Sequence, residues 1–429
     1  MVVESWLARA ARMHPERAAV NSLSYRELFE RARAGAAGLP RGARVGIALP
    51  PGEEFAVALH ATLLAGALAV PVDVRLTESE RPEVDVLIDE PLPLRAGGGE
   101  EVRLEHDLDQ PAIRVHTSGT TSAPKPVDLT YGNWLWSALG SATALGLDPE
   151  ERWLCALPLS HVGGLSTLLR SVIYGTTAIV HERFDAERVL AALQGRDGAA
   201  PTIVSLVPTT LARLLDAGLR RPAGLRWALL GGAPLPPALL ERAAEAEVPV
   251  APTYGLTEAC SQVTTFGVPL FCTRVELADD GEILVRGPTV APGAVDPREP
   301  GLLRTGDLGE WAPDGTLRIV GRKSDTIVTG GENVAPAEVE AVLEAHPAVL
   351  EAAVVGRPDP EWGERIVALV RPRPGAPAPV PDALRDHCAA SLARYKLPKE
   401  YIFIERPLPR TASGKLLRHR IEVDAAERR

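Results

Sequence analysis

The chain has 429 residues, 45% of them hydrophobic, and its 46 Lys and Arg against 56 Asp and Glu leave a formal net charge of −10. That length predicts two or three domains around a large buried core, and the composition argues against disorder. The acidic balance argues against a general nucleic-acid binder or a basic membrane-surface protein, while leaving room for a local nucleotide site.

Four scattered cysteines, Cys155, Cys260, Cys272 and Cys388, lack metal-ligand spacing and read as buried thiols of a reducing compartment. No basic-then-apolar leader opens the sequence. The one strongly apolar stretch, 55–72, carries His60, Thr62, Gly66 and Pro71 without a basic flank, and reads as a buried helix running into a strand rather than a membrane span. A cytoplasmic protein is expected.

Helical periodicity covers 4–14. Ser24 is placed to cap a helix over 25–38, with Glu27 completing a capping box. Strands are expected at 44–49, 67–72 and 84–88, with a helix over 53–65 and a Pro/Gly-rich surface loop over 91–101. A buried strand over 112–115 leads into a Gly/Ser/Thr loop, then a helix over 131–145 and a strand over 152–156. A turn at 161–164, a helix over 165–174 and strands at 177–180, 203–206 and 227–230 follow. This alternation predicts an α/β fold with a parallel sheet, whose ligands gather where the strands' C-terminal ends open. From 282 the texture becomes antiparallel β, with strands at 282–285, 309–311 and 316–320 and Asp314-Gly315 as a hairpin turn. A boundary is expected near 321–324. Beyond it come a helix over 336–346, strands at 352–355 and 366–371, an exposed Pro-rich stretch over 372–381, a helix over 382–392 and a polar loop over 410–418.

Six short motifs carry chemistry. His116-Thr117-Ser118-Gly119-Thr120-Thr121-Ser122-Ala123-Pro124-Lys125 follows a strand with hydroxyl donors, a glycine and one positive charge, a set suited to phosphate oxygens. It lacks the Gly-Lys-Ser/Thr ending of a Walker loop, and alone it reads more readily as a solvated turn. Gly231-Gly232 follows the strand at 227–230. Thr253-Tyr254-Gly255-Leu256-Thr257-Glu258 offers an aromatic ring for a base and two oxygen donors for Mg²⁺. Arg304-Thr305-Gly306-Asp307 fixes a carboxylate after a glycine turn, fit to accept two ribose hydroxyls. Arg322-Lys323-Ser324-Asp325 with Gly330-Gly331, and Thr411-Ala412-Ser413-Gly414-Lys415, place rare lysines on joint-like and terminal segments. Lysine occurs only five times, at 125, 323, 396, 399 and 415, so each merits its own reading.

In this order the motifs resemble the adenylate-forming superfamily of acyl-CoA synthetases, luciferases and peptide-synthetase adenylation domains, over nearly the whole chain. The resemblance implies a large N-terminal domain of mixed sheets with flanking helices and a β-rich section (1–322), and a small mobile α+β C-terminal domain (323–429). It implies ATP, Mg²⁺ and CoA as reactants: a carboxylate attacks the α-phosphate to give acyl-AMP, the small domain rotates, and a thiol takes the acyl group. Thr117, Ser118, Gly119, Thr120, Thr121 and Lys125 would bind the pyrophosphate end. Tyr254 and Gly232 would sit at the adenine, Thr257 and Glu258 at phosphate and Mg²⁺, and Asp307 at the ribose with Arg322 nearby. Gly330 and Gly331 would meet CoA, and Lys415 would bridge carboxylate and α-phosphate. A homodimer is implied only at the family level. Two departures are Ser324, where an aspartate or lysine is common, and a short stretch over 78–110.

Residues 157–175, Leu-Pro-Leu-Ser-His-Val-Gly-Gly-Leu-Ser-Thr-Leu-Leu-Arg-Ser-Val-Ile-Tyr-Gly, and 359–363, Asp-Pro-Glu-Trp-Gly, resemble the o-succinylbenzoate–CoA ligases of menaquinone synthesis. An aromatic dicarboxylate is then the expected acid. His161 is the candidate contact or gate, Gly231 and Gly232 the room for a flat ring, and Arg170 the candidate for the second carboxylate. The alternative for Arg170 is a solvent-facing helix residue. Another aryl- or medium-chain acyl-CoA synthetase, an enzyme loading a separate carrier protein, and a catalytically silent nucleotide- or CoA-binding protein stay open at this point.

Overall fold

The structure, a computed structural model, describes residues 1–93, 102–117, 125–196, 198–377, 379–410, 416–418 and 421. It divides into two compact units: Met1–Gly232 with Ala243–Val275 and Val285–Leu303, and Ala233–Arg242 with Glu276–Leu284 and Arg304–Arg429.

Among the described residues the first unit holds two large sheets and a two-stranded one, in which Val2–Glu4 pairs antiparallel with Glu105–Asp107. One large sheet runs Val86–Ile88, Arg44–Ile47, Leu68–Pro71, Pro111–Thr117, Lys125–Thr130. Its first four strands are parallel, and the last returns antiparallel from its neighbour. The other has nine strands, in the order Val268–Pro269, Ser261–Thr265, Val250–Leu256, Trp227–Leu230, Ile203–Leu206, Arg152–Cys155, Thr177–Val180, Ala18–Val20, Leu23–Ser24. The six strands from Val250–Leu256 to Ala18–Val20 are parallel. Helices Tyr25–Ala36, Glu53–Ala65 and Val162–Tyr174 pack between the sheets: Leu28, Leu59 and Leu168 share one core with Ile47 and Ile113 of one sheet and Ala178 and Val180 of the other. Sheets covered on both faces read as continuous apolar runs, which is why the short strands were legible.

The apolar stretch resolves as that core. Every residue of Phe55–Leu64 is buried, His60 and Thr62 included, as a helix enclosed on all sides requires. Among the described residues no helix is long and apolar enough to cross a membrane. The Ser24–Glu27 capping box forms as expected. The helix expected from 165 begins instead at Val162, directly after His161. Strand Lys125–Thr130 escaped notice because Pro126 reads as a breaker. It lies at the sheet's edge, where a missing N–H costs nothing.

A sheet ordered Arg274–Leu277, Glu282–Arg286, Leu302–Trp311, Leu317–Arg322 has most of its residues in the second unit, with Asp314-Gly315 in the expected turn. A further sheet is built on the long antiparallel pair Val349–Asp359 and Gly363–Pro372. Alternate residues face opposite sides. Ala352, Val354, Ile366 and Ala368 pack with Val339 and Leu343 of helix Pro336–Glu344 and Leu384 of helix Pro381–Ala389. Ala353 and Leu369 pack instead with Ile404 and Leu408.

Candidate active site

Thr117 and Lys125 face each other in register at the open end of an antiparallel pair, and the Thr117 hydroxyl donates to the Lys125 carbonyl at 3.3 Å. Ser118, Gly119, Thr120 and Thr121 lie outside the described residues.

At the C-terminal ends of the large sheet, strand Val250–Leu256 carries Tyr254 and breaks register between Tyr254 and Gly255. A Cβ on Gly255 would overlap the Ser261 carbonyl oxygen, so only glycine lets the two strands approach there. The chain then makes the 3₁₀ turn Thr257–Ala259, which ends on Cys260 at φ 51° and Ser261 at φ 88°. Two successive non-glycine residues with positive φ are strained backbone of the kind that persists only where its surroundings hold it. The turn is held by Cys260 N–H donating to Thr257 O (3.0 Å) and Ala291 N–H donating to Glu258 O (2.8 Å). Thr257 and Glu258 are half-buried. Among the described residues no group of three His, Cys, Asp or Glu side chains could hold a metal. A hydroxyl and one carboxylate do suit Mg²⁺ that arrives on phosphates and keeps most of its shell as phosphate and water.

Gly231 lies beside this strand. A Cβ there would stand 2.7 Å from Thr253 Cγ2 and 2.8 Å from Thr253 O, so the space it leaves serves the neighbouring strand and not a flat ring. Gly232 has φ +82° and open surroundings save Val207.

His161 is half-buried at the N-terminus of helix Val162–Tyr174. Burial pushes its pKa below the usual range, Asp73 pulls it up and Arg75 pushes it down. At neutral pH it is an uncharged imidazole. Asp73 and Arg75 form an ion pair at 2.5 Å, a local charge environment that the sequence reading missed. Arg170, on the same helix, is not solvent-facing: it is 1% exposed. Its Nη2 donates to Ser137 Oγ at 3.0 Å, and its guanidinium carbon stands 5.6 Å from the Trp153 ring centroid. This setting gives no free approach to a second carboxylate.

In the second unit, Asp307 and Arg322 are cross-strand partners, with Asp307 Oδ1 2.8 Å from Arg322 Nε and the carboxylate 5% exposed as a residue. The resemblance likewise implies that Arg322 lies near Asp307. The sequence reading missed Glu282, buried at 4%, which accepts from Gly306 N–H (3.1 Å), Arg304 Nη1 (3.3 Å) and Lys323 Nζ (3.2 Å). Nothing in its position at the start of a strand announces that role. Lys323 also reaches Asp280 at 2.5 Å. Gly330 and Gly331, at φ 60° and 84°, form the two-residue turn between Ile327–Thr329 and Glu332–Val334, as a type I′ hairpin requires. Gly330 N–H donates to Trp362 O (2.8 Å), and Lys399 Nζ sits 3.1 Å from the centroid of the Trp362 ring. Lys415 lies outside the described residues. Three positions on, Arg418 pairs with Glu340 (2.5 Å) and Asp325 (3.1 Å).

Residues 7–89 and 80–294 match the AMP-binding enzyme family, and 338–415 match the AMP-binding enzyme C-terminal domain. The 2-succinylbenzoate–CoA ligase of Bacillus licheniformis is 38% identical over 97% of this chain and 99% of its own length. The solved o-succinylbenzoate CoA synthetase of Bacillus subtilis with the acyl-adenylate intermediate is 34% identical, superposes with a TM-score of 0.88, and is matched over 98% of each chain. The same enzyme with ATP and magnesium ion gives 35% and 0.87, over 98% of this chain and 99% of that one. By sequence along both parts and by fold, the chain belongs to the AMP-binding enzyme family.

Proposed function

We propose that the protein is an AMP-forming acid–CoA ligase that converts o-succinylbenzoate, ATP and CoA to o-succinylbenzoyl-CoA, AMP and diphosphate, in the cytoplasm, for menaquinone synthesis. The observation that carries this is likeness along essentially the full length of both chains to ligases of that acid, together with groups in each unit that suit nucleotide chemistry. The buried Asp307 carboxylate, fixed by Arg322, accepts ribose hydroxyls. Tyr254 lies on a strand end at the base. Thr257 and Glu258 take the Mg²⁺ that comes with ATP, and Thr117, Lys125 and the residues between them take the leaving pyrophosphate. His161, uncharged, meets the acid. Lys415 supplies a positive charge between the acid carboxylate and the α-phosphate, where charge builds as the phosphoryl bond changes hands. Residues 323–429 act as a lid that brings Lys415 in for adenylation and withdraws it for thioester formation, when the Gly330–Gly331 turn meets CoA. Ser324 suffices at the joint because backbone rotation needs no charge.

The test is acid-dependent exchange of pyrophosphate into ATP without CoA, with acyl-AMP detected by mass spectrometry. The proposal expects exchange only when the acid is present. Absence of exchange with an acid that is nonetheless converted to thioester would overturn the acyl-AMP route.

A further inference from the structure

Arg170 is a fully buried guanidinium whose Nε and Nη1 meet no hydrogen-bond partner among the described residues. The titratable groups that act on it are Tyr174 and Cys260, both kept neutral by burial. Keeping such a charge inside a core is unfavourable, and a well-packed apolar side chain would serve packing better. The one hydrogen bond its side chain makes among the described residues shows what it does. Arg170 Nη2 donates to Ser137 Oγ at 3.0 Å, and Ser137 O–H in turn donates to the Cys260 carbonyl at 2.6 Å. Cys260 is the left-handed residue that closes the Thr257–Ala259 turn. The carbonyl of Glu258 is tied separately by Ala291 N–H.

We infer that Arg170, acting through Ser137, is a positioning residue that holds the Thr257–Cys260 turn from behind and so sets the geometry in which Thr257 and Glu258 receive MgATP. The guanidinium orients the Ser137 hydroxyl by occupying its acceptor side, which leaves its proton for the Cys260 carbonyl. The strained pair Cys260–Ser261 is thereby kept in place before the nucleotide arrives. This rests on the adenylation reading for the role of Thr257 and Glu258, but the relay belongs to the fold and its effect on nucleotide binding is measured without turnover.

The experiment compares the parent chain with Ser137→Ala, Arg170→Met and Arg170→Lys, reading the MgATP Kd by calorimetry, the KM values in pyrophosphate exchange, and thioester formation from supplied acyl-AMP. Ser137→Ala removes one hydroxyl and spares the fold, as thermal unfolding checks. It is expected to weaken MgATP about tenfold, the scale of one lost buried hydrogen bond, with the acid KM and the thioester rate within about twofold. Arg170→Met matches or exceeds that loss and Arg170→Lys recovers part of it. A MgATP Kd unchanged in Ser137→Ala overturns the inference, and so does a raised acid KM with MgATP unaffected, which would put Arg170 at the substrate. A parent chain that binds MgATP but shows no exchange with any acid defeats the ligase reading alone, and the Kd comparison still decides the relay.

Discussion

The two units prepare their groups by different physical means. In the first, the candidate nucleotide contacts sit on turns at sheet ends, shaped by close backbone approach: Gly255 against Ser261, Gly231 against Thr253, and a strained Cys260–Ser261 step tied down through Ser137. In the second, charge is set before any ligand arrives: Asp307 on Arg322, and Glu282 holding Gly306, Arg304 and Lys323. One unit supplies shape and the other fixed charge. Substitutions in the first unit should therefore act through geometry. Substitutions in the second should follow charge.

The largest effect is expected from Lys415. Lys415→Ala should cut adenylation about a thousandfold or more, the scale of losing a group that stabilises transition-state charge, and largely spare thioester formation from supplied acyl-AMP. Equal loss of both half-reactions would remove it from the first step. Gly255→Ala is next, and tests the geometric side. A methyl group that overlaps the Ser261 carbonyl must displace one strand, and AMP binding and adenylation should fall together by about a hundredfold, the cost seen when a reacting geometry shifts by about an ångström. Normal AMP affinity in a folded Gly255→Ala protein would show that the bulge does not shape the site. Asp307→Ala should raise the KM for ATP about tenfold or more through lost charge-assisted hydrogen bonds, with Asp307→Glu partly rescued. Unchanged ATP kinetics would take it out of the ribose site.

A smaller contrast lies in pH. Burial pushes His60 down to about 4 and His106 down to about 3, both in the first unit. The unfolded chain protonates these histidines near their ordinary range while the folded unit resists, so their contribution to stability is lost as pH falls below about 6.5. In the second unit burial raises Glu344 to about 7. Its folded form holds a proton the unfolded chain has shed, so its contribution is present below about 4.3 and is lost as pH rises through 7. Hydrogen exchange by mass spectrometry, corrected for the intrinsic rate, should show that Glu344→Gln flattens the loss of protection between pH 5 and 8 in residues 336–372. His106→Phe should flatten the loss on the acid side around Trp6 and Tyr131, which pack on that ring. Identical pH responses in variants and parent would refute these assignments.

Much of the first unit was legible because its strands are apolar runs and its helices carry clear caps, and Thr130 and Ser24 open their helices with their own side chains. Strands interrupted by proline or glycine, Lys125–Thr130 and Val250–Leu256, were not legible. Their residues are chosen for an edge or a bulge, features that exist only after pairing. At the site, Asp307 and Arg322 stood out as motif residues. Ser137 and Glu282 did not, since a serine inside a helix and a glutamate opening a strand signal nothing until the fold brings a carbonyl or a cluster of donors to them. Arg170 was noticed, but its burial could not be read from a helix whose other residues are mixed in polarity.

The central claim is the acid. The most direct measurement is CoA-thioester formation by the purified protein with ATP and Mg²⁺ on a panel of o-succinylbenzoate, benzoate, 4-hydroxybenzoate, octanoate and palmitate. The account predicts a kcat/KM for o-succinylbenzoate about a hundredfold or more above the others, roughly 2.7 kcal/mol of transition-state discrimination. Equal or better turnover of another acid on the panel would contradict it.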